Sequence, residues 1–402
     1  MKTALLDYFI KYVKIDTMSS EENNQTPSTH KQFDLAKILV QDLKALNVKN
    51  VKINDNCFVT AELESNCNSN LHIGFIAHLD TIPGFSGTNV NPQVFYNYDG
   101  NDIKLSNLEI TTKQFPFLKN LVGKTIITTD GTTVLGADDK AGIAEIMTLL
   151  KFYHDNPEIP HVNIHVAFTP DEEIGGAMDL FDIQGFNCDF AYTIDGGEYN
   201  EINFENFNAA SAIVNIKGLD IHPGSAKGQM KNASLIAMEF NSLLPVEQRP
   251  EYTEGYEGFN HLCDIKGTIG EATMEYILRN HDCEKLNKQK NDFINACDFI
   301  NKKYGEGTIT LNIKDSYANM ANNIKKDQRS VERAINAIKK LNFIPKTTPI
   351  RGGTDGARLT QLGLNTPNLG TGGYNCHGPF ELACLEEMEN VVKILIEIAK
   401  VN

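Results

Sequence analysis

The stretch from Ile73 to Asp80 combines the pattern of a buried strand with polar side chains at its end. Its apolar run suits a strand that is covered on both faces of a sheet. His78 and Asp80 lie two positions apart, so a strand directs both side chains to one side. A histidine at a rigid strand end with a carboxylate beside it is a common way to hold a metal-binding imidazole. Because His-x-Asp is frequent by chance, a metal site is predicted only if further ligands lie nearby.

Similar strand patterns recur downstream, and each ends in acidic residues. The alternating stretch 161–168 is followed by Asp171, Glu172 and Glu173, and the apolar run 190–194 is followed by Asp195. Helical spacing of apolar residues separates these strands, as in 143–153. Alternating strands and helices predict an α/β fold, in which functional side chains gather at the carboxyl ends of the strands.

The character of the chain changes near residue 209. From there the pattern reads β-α-β-β-α-β over roughly 110 residues, which is typical of a ferredoxin-like unit. We therefore expect an α+β domain at 209–318 inserted into a first domain made of 1–208 and 319–402. A final helix at 385–401 is expected to close the first domain.

Composition narrows the class of protein. A chain of 402 residues is long enough for two domains, and its net charge of −15 argues against nucleic acid and anionic membranes as partners. No apolar run reaches the ~18 residues that a membrane span needs. Eight scattered cysteines without a CxxC motif favour free thiols in a reducing compartment, so we expect a cytoplasmic protein.

Seven His, Asp and Glu residues at predicted strand ends or in glycine-rich turns are candidates for a metal centre: His78, Asp138, Asp139, Glu172, Glu173, Asp195 and His377. Each has an ordinary alternative, such as a helix cap, a solvated turn or a surface loop. Adjacent carboxylates in a dry site raise each other's pKa, and a metal that binds one of them removes the conflict. The other is then free to act as a general base.

Several motifs together resemble a known family. They are HLD at 78–80, GADDKAG at 136–142, FTPDEEIGG at 168–176, DGGE at 195–198 and TGGYNCHG at 371–378. They resemble the dizinc metallopeptidase superfamily that includes carboxypeptidase G and aminoacylase. Within it, FENFNAAS at 204–211, IHPGSAKGQM at 221–230 and PIRGGTDGARL at 349–359 are similar to the peptidase T family of tripeptide aminopeptidases. The resemblance covers nearly the whole chain and implies a catalytic α/β domain with an inserted ferredoxin-like lid.

The resemblance also implies roles for individual residues. His78 and Asp195 would hold one zinc ion, Glu173 and His377 the other, and Asp138 would bridge the two. Glu172 would be the general base, and Asp80 would hydrogen-bond His78. The peptide bond after the bridging aspartate is expected to be cis. His222, Arg351 and Asn319 would bind substrate: His222 at the tetrahedral intermediate, Arg351 at the C-terminal carboxylate and Asn319 near the domain hinge.

The implied activity is release of the N-terminal residue from tripeptides by zinc-activated water attack, with two Zn²⁺ per chain and small peptides as substrates. The open alternatives are a related dizinc dipeptidase, carboxypeptidase or N-acyl amino acid deacylase, and a catalytically silent peptide-binding protein. Whether the chain forms a homodimer is left open by the sequence.

Overall fold

The structure, a computed structural model, describes residues 1–23 and 25–401. The chain divides into two compact units. The first contains Met1–Phe204, Asn322–Thr348 and Thr354–Asn402, and the second contains Glu205–Ala321 and Pro349–Gly353. The short segment Pro349–Gly353 thus groups with the second unit, whereas the sequence assigns 319–402 as a whole to the first domain.

Ten α-helices occur in the described residues, with the following bounds: α1 Lys2–Val13, α2 Gln32–Ala45, α3 Ala137–Asp155, α4 Ile183–Phe186, α5 Ala233–Leu243, α6 Cys283–Tyr304, α7 Ala321–Ile324, α8 Arg329–Lys340, α9 Asp355–Gln361 and α10 Leu385–Ala399. None of these helices is long and apolar enough to cross a lipid bilayer.

Eighteen strands occur in the same residues: β1 Lys49–Ile53, β2 Val59–Leu63, β3 His72–His78, β4 Gln93–Phe95, β5 Ile103–Lys104, β6 Glu109–Ile110, β7 Ile126–Thr128, β8 Asn163–Thr169, β9 Phe190–Gly196, β10 Glu201–Asn203, β11 Asn208–Lys217, β12 Phe259–Gly267, β13 Glu271–Asn280, β14 Ile309–Tyr317, β15 Lys346–Thr347, β16 Asn368–Gly370, β17 Gly373–Tyr374 and β18 Leu382–Cys384.

The first unit is built on an eight-stranded sheet with the order β1-β2-β8-β3-β9-β16-β10-β15. Its centre is parallel, because β3 pairs in parallel with both β8 and β9, and β16 pairs in parallel with β9. The carboxyl ends of these four strands therefore lie at one edge of the sheet, where α/β proteins carry their sites. A smaller antiparallel sheet, β17-β18-β7-β4, belongs to the same unit.

Apolar side chains cover both faces of the large sheet. Successive residues of β3 show this division, because Phe75 lies in the larger core cluster with α3 and α10, and Ile76 lies in a smaller cluster on the other face. Just before them in sequence, Gly74 makes room for Phe186, whose Cε1 would lie 2.6 Å from an added Cβ. This two-faced burial confirms the buried-strand prediction for the stretch before His78.

The second unit contains the order β11-α5-β12-β13-α6-β14 and an antiparallel sheet with the order β12-β13-β11-β14. Both features are those of a ferredoxin-like fold. Helices α5 and α6 pack on one face of this sheet around a separate core that includes Phe240 and Phe293. The predicted fold class, an α/β domain with an inserted α+β domain, is confirmed.

Candidate metal centre

His78 ends β3 and is buried, with 2% of its surface exposed. Its Nδ1 lies 3.0 Å from the main-chain carbonyl oxygen of Asp80. Because a carbonyl only accepts, Nδ1 carries the proton, and the lone pair of Nε2 is left for a ligand. The Asp80 carboxylate is slightly farther from Nδ1, at 3.4 Å, so the carbonyl makes the shorter contact.

The carboxylate of Asp138 lies between two imidazoles. Its Oδ1 is 2.9 Å from His78 Nε2, and its Oδ2 is 3.2 Å from His377 Nε2. The two histidines come from opposite ends of the first unit's sequence, and each faces a different oxygen. This is the arrangement that a bridging carboxylate requires. The peptide bond from Asp138 to Asp139 is cis, as the resemblance implies.

Asp139, the neighbouring carboxylate, is directed to the backbone instead. It is fully buried, and its oxygens accept hydrogen bonds from the N–H groups of His78 at 3.2 Å and Gly142 at 3.2 Å. Gly142 allows this close packing, because an added Cβ would lie 2.0 Å from the carbonyl oxygen of Ile194 in β9. Of the two adjacent aspartates, Asp138 is therefore the one that faces the imidazoles.

Glu172 and Glu173 follow the end of β8 in a turn that Asp80 holds. The two oxygens of the Asp80 carboxylate accept the backbone N–H groups of Glu172 at 3.0 Å and Glu173 at 3.3 Å. Glu173 Oε2 lies 3.1 Å from His377 Nε2. The other oxygen, Oε1, is buried and has no hydrogen-bond partner among the described residues.

The same turn is fixed from its other side by the N-terminal part of the chain. Asp171, which is 1% exposed, accepts hydrogen bonds from the N–H and hydroxyl of Ser28 at 2.7 and 2.6 Å. The side-chain amide of Gln32 donates to the same carboxylate at 2.6 Å. Asp171 is therefore a structural support for the two glutamates that follow it.

Asp195, near the end of β9, completes the group. Its Oδ1 lies 3.6 Å from His78 Nε2. Two sets of three residues place one ligand atom each within 4.8 Å of the others: His78, Glu172 and Asp195, and His78, Asp138 and Glu173. The structure thus brings together His78, Asp80, Asp138, Glu172, Glu173, Asp195 and His377 in the first unit.

Crowding of buried carboxylates dominates the electrostatics. Burial, followed by the charge of Asp195, raises the pKa of Glu172 well above its usual range. Burial also raises the pKa of Asp195 to about 6. Hydrogen bonds to Asp138 and Glu173 raise the pKa of His377 to about 10. The buried carboxylates thus lie close enough to repel one another, and a bound cation or proton would relieve this repulsion.

This donor set fits divalent cations. Imidazole nitrogen and carboxylate oxygen are ligands that zinc accepts, and a bridging carboxylate is typical of paired metals. The unpartnered oxygen of Glu173 is the kind of buried polar atom that a cation would satisfy. His78 Nε2 faces the carboxylates of Asp138 and Asp195, so a cation placed between them would be bound by nitrogen and oxygen together.

Two further carboxylates at the centre were missed in the sequence. Glu381 accepts the backbone N–H groups of Leu135, Gly136 and Asp138. Asp355, at the start of α9, accepts the hydroxyl of Thr169 at 2.9 Å, and burial raises its pKa to about 7. A signal was present for both. Asp355 lies inside the motif 349–359 that contains Arg351, and Glu381 comes three residues after the motif 371–378 that contains His377.

Arg351 lies in the second unit, where its guanidinium is already engaged. It lies over the rings of Phe207 and Phe259, with its central carbon 5.1 and 5.7 Å from the ring centroids. It also donates hydrogen bonds to three acceptors on one loop: the carbonyls of Gly255 and Glu257 at 2.8 Å each and the hydroxyl of Thr253 at 2.9 Å. Arg351 therefore helps to order this loop, and its predicted contact with a substrate carboxylate stays a prediction.

His222 and Asn319 also belong to the second unit. His222 is exposed, and its Nδ1 accepts the N–H of Gly224 at 3.1 Å, so the neutral ring carries its proton on Nε2. The side chain of Asn319 accepts the N–H groups of Asn206 and Ala321 and donates to the carbonyl of His281. The predicted substrate roles of both residues stay predictions.

Comparison with known proteins identifies the family. Residues 135–401 match the model of peptidase family M20/M25/M40. Peptidase T of Caldanaerobacter subterraneus is 50% identical over 400 residues, which cover 98% of each chain.

Solved structures agree on the fold. A tripeptidase from Staphylococcus aureus superposes with a TM-score of 0.80 at 21% identity, covering 100% of this chain and 98% of the other. A protein from Bacillus subtilis described as a dinuclear metal binding peptidase of the M20 family has a TM-score of 0.67 at 15% identity, with 99% and 97% covered. The chain accordingly belongs to peptidase family M20/M25/M40 and, within it, to the peptidase T group, as its motifs predict.

Proposed function

We propose that this peptide hydrolase is a cytoplasmic, zinc-dependent aminopeptidase that releases the N-terminal residue from tripeptides. The observation that carries the proposal is the position of Asp138 between the Nε2 atoms of His78 and His377. The names of the relatives support the substrate class, since the S. aureus neighbour is described as a tripeptidase. The eight free cysteines support a reducing compartment.

Two zinc ions would share the carboxylate of Asp138. His78 and Asp195 would complete the ligand set of one, and Glu173 and His377 that of the other. When bound there, the metals would polarise the scissile carbonyl and acidify the attacking water. The description of an M20-family neighbour as a dinuclear metal binding peptidase supports this assignment.

Glu172 is the proposed general base. It is adjacent in sequence to the ligand Glu173, and its carboxylate lies within 4.8 Å of ligand atoms of His78 and Asp195. Burial, followed by the charge of Asp195, raises its pKa, which makes the carboxylate a stronger proton acceptor. Glu172 would take the proton of the attacking water and pass it to the leaving amine. Asp80 would keep Glu172 in place through the backbone N–H.

Three residues of the second unit would act on the substrate. His222 carries its proton on Nε2, which suits a donor to the developing oxyanion. Arg351 would bind the C-terminal carboxylate of the peptide through its planar fork. Asn319 would assist near the domain hinge by holding the backbone N–H groups of Asn206 and Ala321.

A combined metal and substrate assay tests the proposal. Metal content is measured by atomic emission, and hydrolysis of tri-, di- and N-acyl substrates is followed before and after chelation. We expect about two zinc ions per chain, preferential cleavage of tripeptides at the N-terminal bond, and loss of activity on chelation with recovery on addition of Zn²⁺. Preferential cleavage of dipeptides, C-terminal residues or N-acyl groups would instead assign one of the related specificities. Activity that survives complete metal removal would contradict the proposal.

A further inference from the structure

The carboxylate of Glu381 accepts hydrogen bonds from three backbone N–H groups of the loop that carries Asp138. Its Oε2 accepts from Leu135 at 2.7 Å and from Gly136 at 2.8 Å, and its Oε1 accepts from Asp138 at 3.0 Å. The side chain is 1% exposed, so these hydrogen bonds are shielded from water. None of the roles given above to the ligands or to the base uses this residue.

The loop needs such a partner because α3 begins without a cap of its own. Gly136 occupies the N-cap position, where it has no side chain to accept a hydrogen bond, and its φ is 75°. Asp138 and Asp139 depart from helical backbone angles, so the first turn of α3 is irregular. The first N–H groups of a helix have no partner within the helix and require an acceptor. A residue 243 positions beyond Asp138 supplies it.

The other end of Glu381 is fixed to the loop that carries His377. Glu381 follows His377 by four residues, and its own N–H donates to the carbonyl of Gly378 at 3.2 Å. One residue is therefore joined through its main chain to the neighbour of His377 and through its side chain to the backbone of Asp138. No other described hydrogen bond joins the backbone of 135–138 to the segment 377–381.

We propose that Glu381 is a positioning residue that sets the separation between the Asp138 carboxylate and the His377 imidazole, and thereby the affinity of the metal that these two ligands share. The proposal rests on the proposed function in one respect only, namely that Asp138 and His377 bind a metal. Outer partners of this kind typically change metal affinity by about 10–100-fold when they are removed.

Zinc affinity in the absence of substrate tests this role. Purified, metal-free protein is titrated with Zn²⁺ in competition with a chromophoric chelator, and the same variants are titrated with Co²⁺ while the visible absorption is recorded. Glu381→Ala removes all three acceptor contacts. Glu381→Gln keeps the size of the side chain and one acceptor oxygen, so it serves if the alanine variant does not fold.

Glu386→Gln is the matched control. Glu386 also accepts a backbone N–H, that of Thr125 at 2.6 Å, together with the hydroxyl of the same residue at 3.0 Å. It pairs with Lys2 as well, but no described hydrogen bond joins it to the Asp138 loop. Loss of its charge therefore reports the cost of weakening a comparable structural hydrogen bond elsewhere in the first unit.

We expect the wild type and Glu386→Gln to bind both metals alike. Binding of one metal should be about 10–100-fold weaker in Glu381→Ala, with an altered Co²⁺ spectrum and an intermediate loss in Glu381→Gln. Unchanged affinity and spectrum in both Glu381 variants, or an equal loss in Glu386→Gln, would overturn the positioning role while leaving the proposed function intact. Failure of the wild type to bind two metals would instead reject the dizinc function, and the inference with it.

Discussion

The backbone N–H of Glu172 donates a hydrogen bond of 3.0 Å to the carboxylate of Asp80. The main-chain carbonyl of the same aspartate accepts from His78. Asp80 thus orients the imidazole of His78 with its main-chain carbonyl, and it holds the turn that carries Glu172 with its carboxylate. The two functions can be separated by mutation, because a side-chain substitution leaves the carbonyl in place.

Asp80→Ala should lower kcat by about 10–100-fold while zinc binding changes less. The carboxylate that holds the N–H groups of Glu172 and Glu173 is lost, but the carbonyl contact that fixes the His78 tautomer remains. Asp182→Asn is a suitable control, because Asp182 accepts a backbone N–H from Gly185 at 2.8 Å in the short helix α4. Steady-state kinetics and metal content are measured together. Loss of metal in parallel with activity would show that the carboxylate, rather than the carbonyl, orients His78.

Glu172→Gln should reduce kcat by about 10²–10⁴-fold and leave the metal content unchanged. Glutamine has nearly the same shape, but it does not accept a proton at neutral pH. The neighbouring Glu173→Gln is the comparison, and it should lose metal because its side chain faces His377. Turnover is measured with a tripeptide at saturating Zn²⁺. Near-normal turnover of Glu172→Gln would exclude its role as the base.

Arg351→Ala should reduce kcat/KM for tripeptides with a free carboxylate about 10–100-fold more than for their C-terminal amides. The guanidinium also holds the loop at residues 253–257, so kcat/KM is expected to fall somewhat for both kinds of substrate. Thr253→Val provides the control, because it removes the hydroxyl that accepts from Arg351 and keeps the positive charge. Equal losses on acid and amide substrates would assign Arg351 a structural role alone.

Glu145→Met should increase the free energy of unfolding at neutral pH. Both carboxyl oxygens of Glu145 are buried without a hydrogen-bond partner among the described residues, and burial, followed by the charge of Asp139, raises its pKa well above 4.5. Above pH 4.5 the unfolded chain releases this proton and the folded chain retains it, so stability falls as pH rises.

Chemical unfolding between pH 5 and 8 checks this expectation. The advantage of Glu145→Met over the wild type should grow by about 1.4 kcal/mol per pH unit until the folded pKa is reached. Glu145→Gln should show the same pH trend, since it is also neutral, with a smaller gain because its amide remains unpartnered. A difference that is independent of pH would show that Glu145 is ionised in the folded protein.

Much of the fold could be predicted from the sequence. The helix expected at 385–401 is α10, Leu385–Ala399, and the expected β-α-β-β-α-β order is the order in the second unit. These elements carry strong apolar periodicity and bury one face. The acidic residues after β8 and at the end of β9 could be placed near His78 for a different reason, because parallel strands bring their carboxyl ends to the same edge.

Features that depend on contacts between distant segments could not be predicted. No periodicity reports that Glu381 accepts N–H groups from Leu135 to Asp138, since the contact joins a side chain to a backbone far away in sequence. The segment Pro349–Gly353 contains two glycines and no apolar pattern, so nothing local assigns it to the second unit. The hydrogen bond from Ser28 to Asp171 could not be predicted either, because it also joins segments far apart in the sequence.

The first unit is interrupted by the insertion, and His377 and Glu381 come after it. A nascent polypeptide that has emerged from the ribosome as far as Asp195 therefore carries one of the two imidazoles and lacks the acceptor that steadies the start of α3. Under the proposed function, neither metal binding by Asp138 and His377 nor cleavage can occur before the segment that carries His377 and Glu381 has been synthesised and has packed against α3.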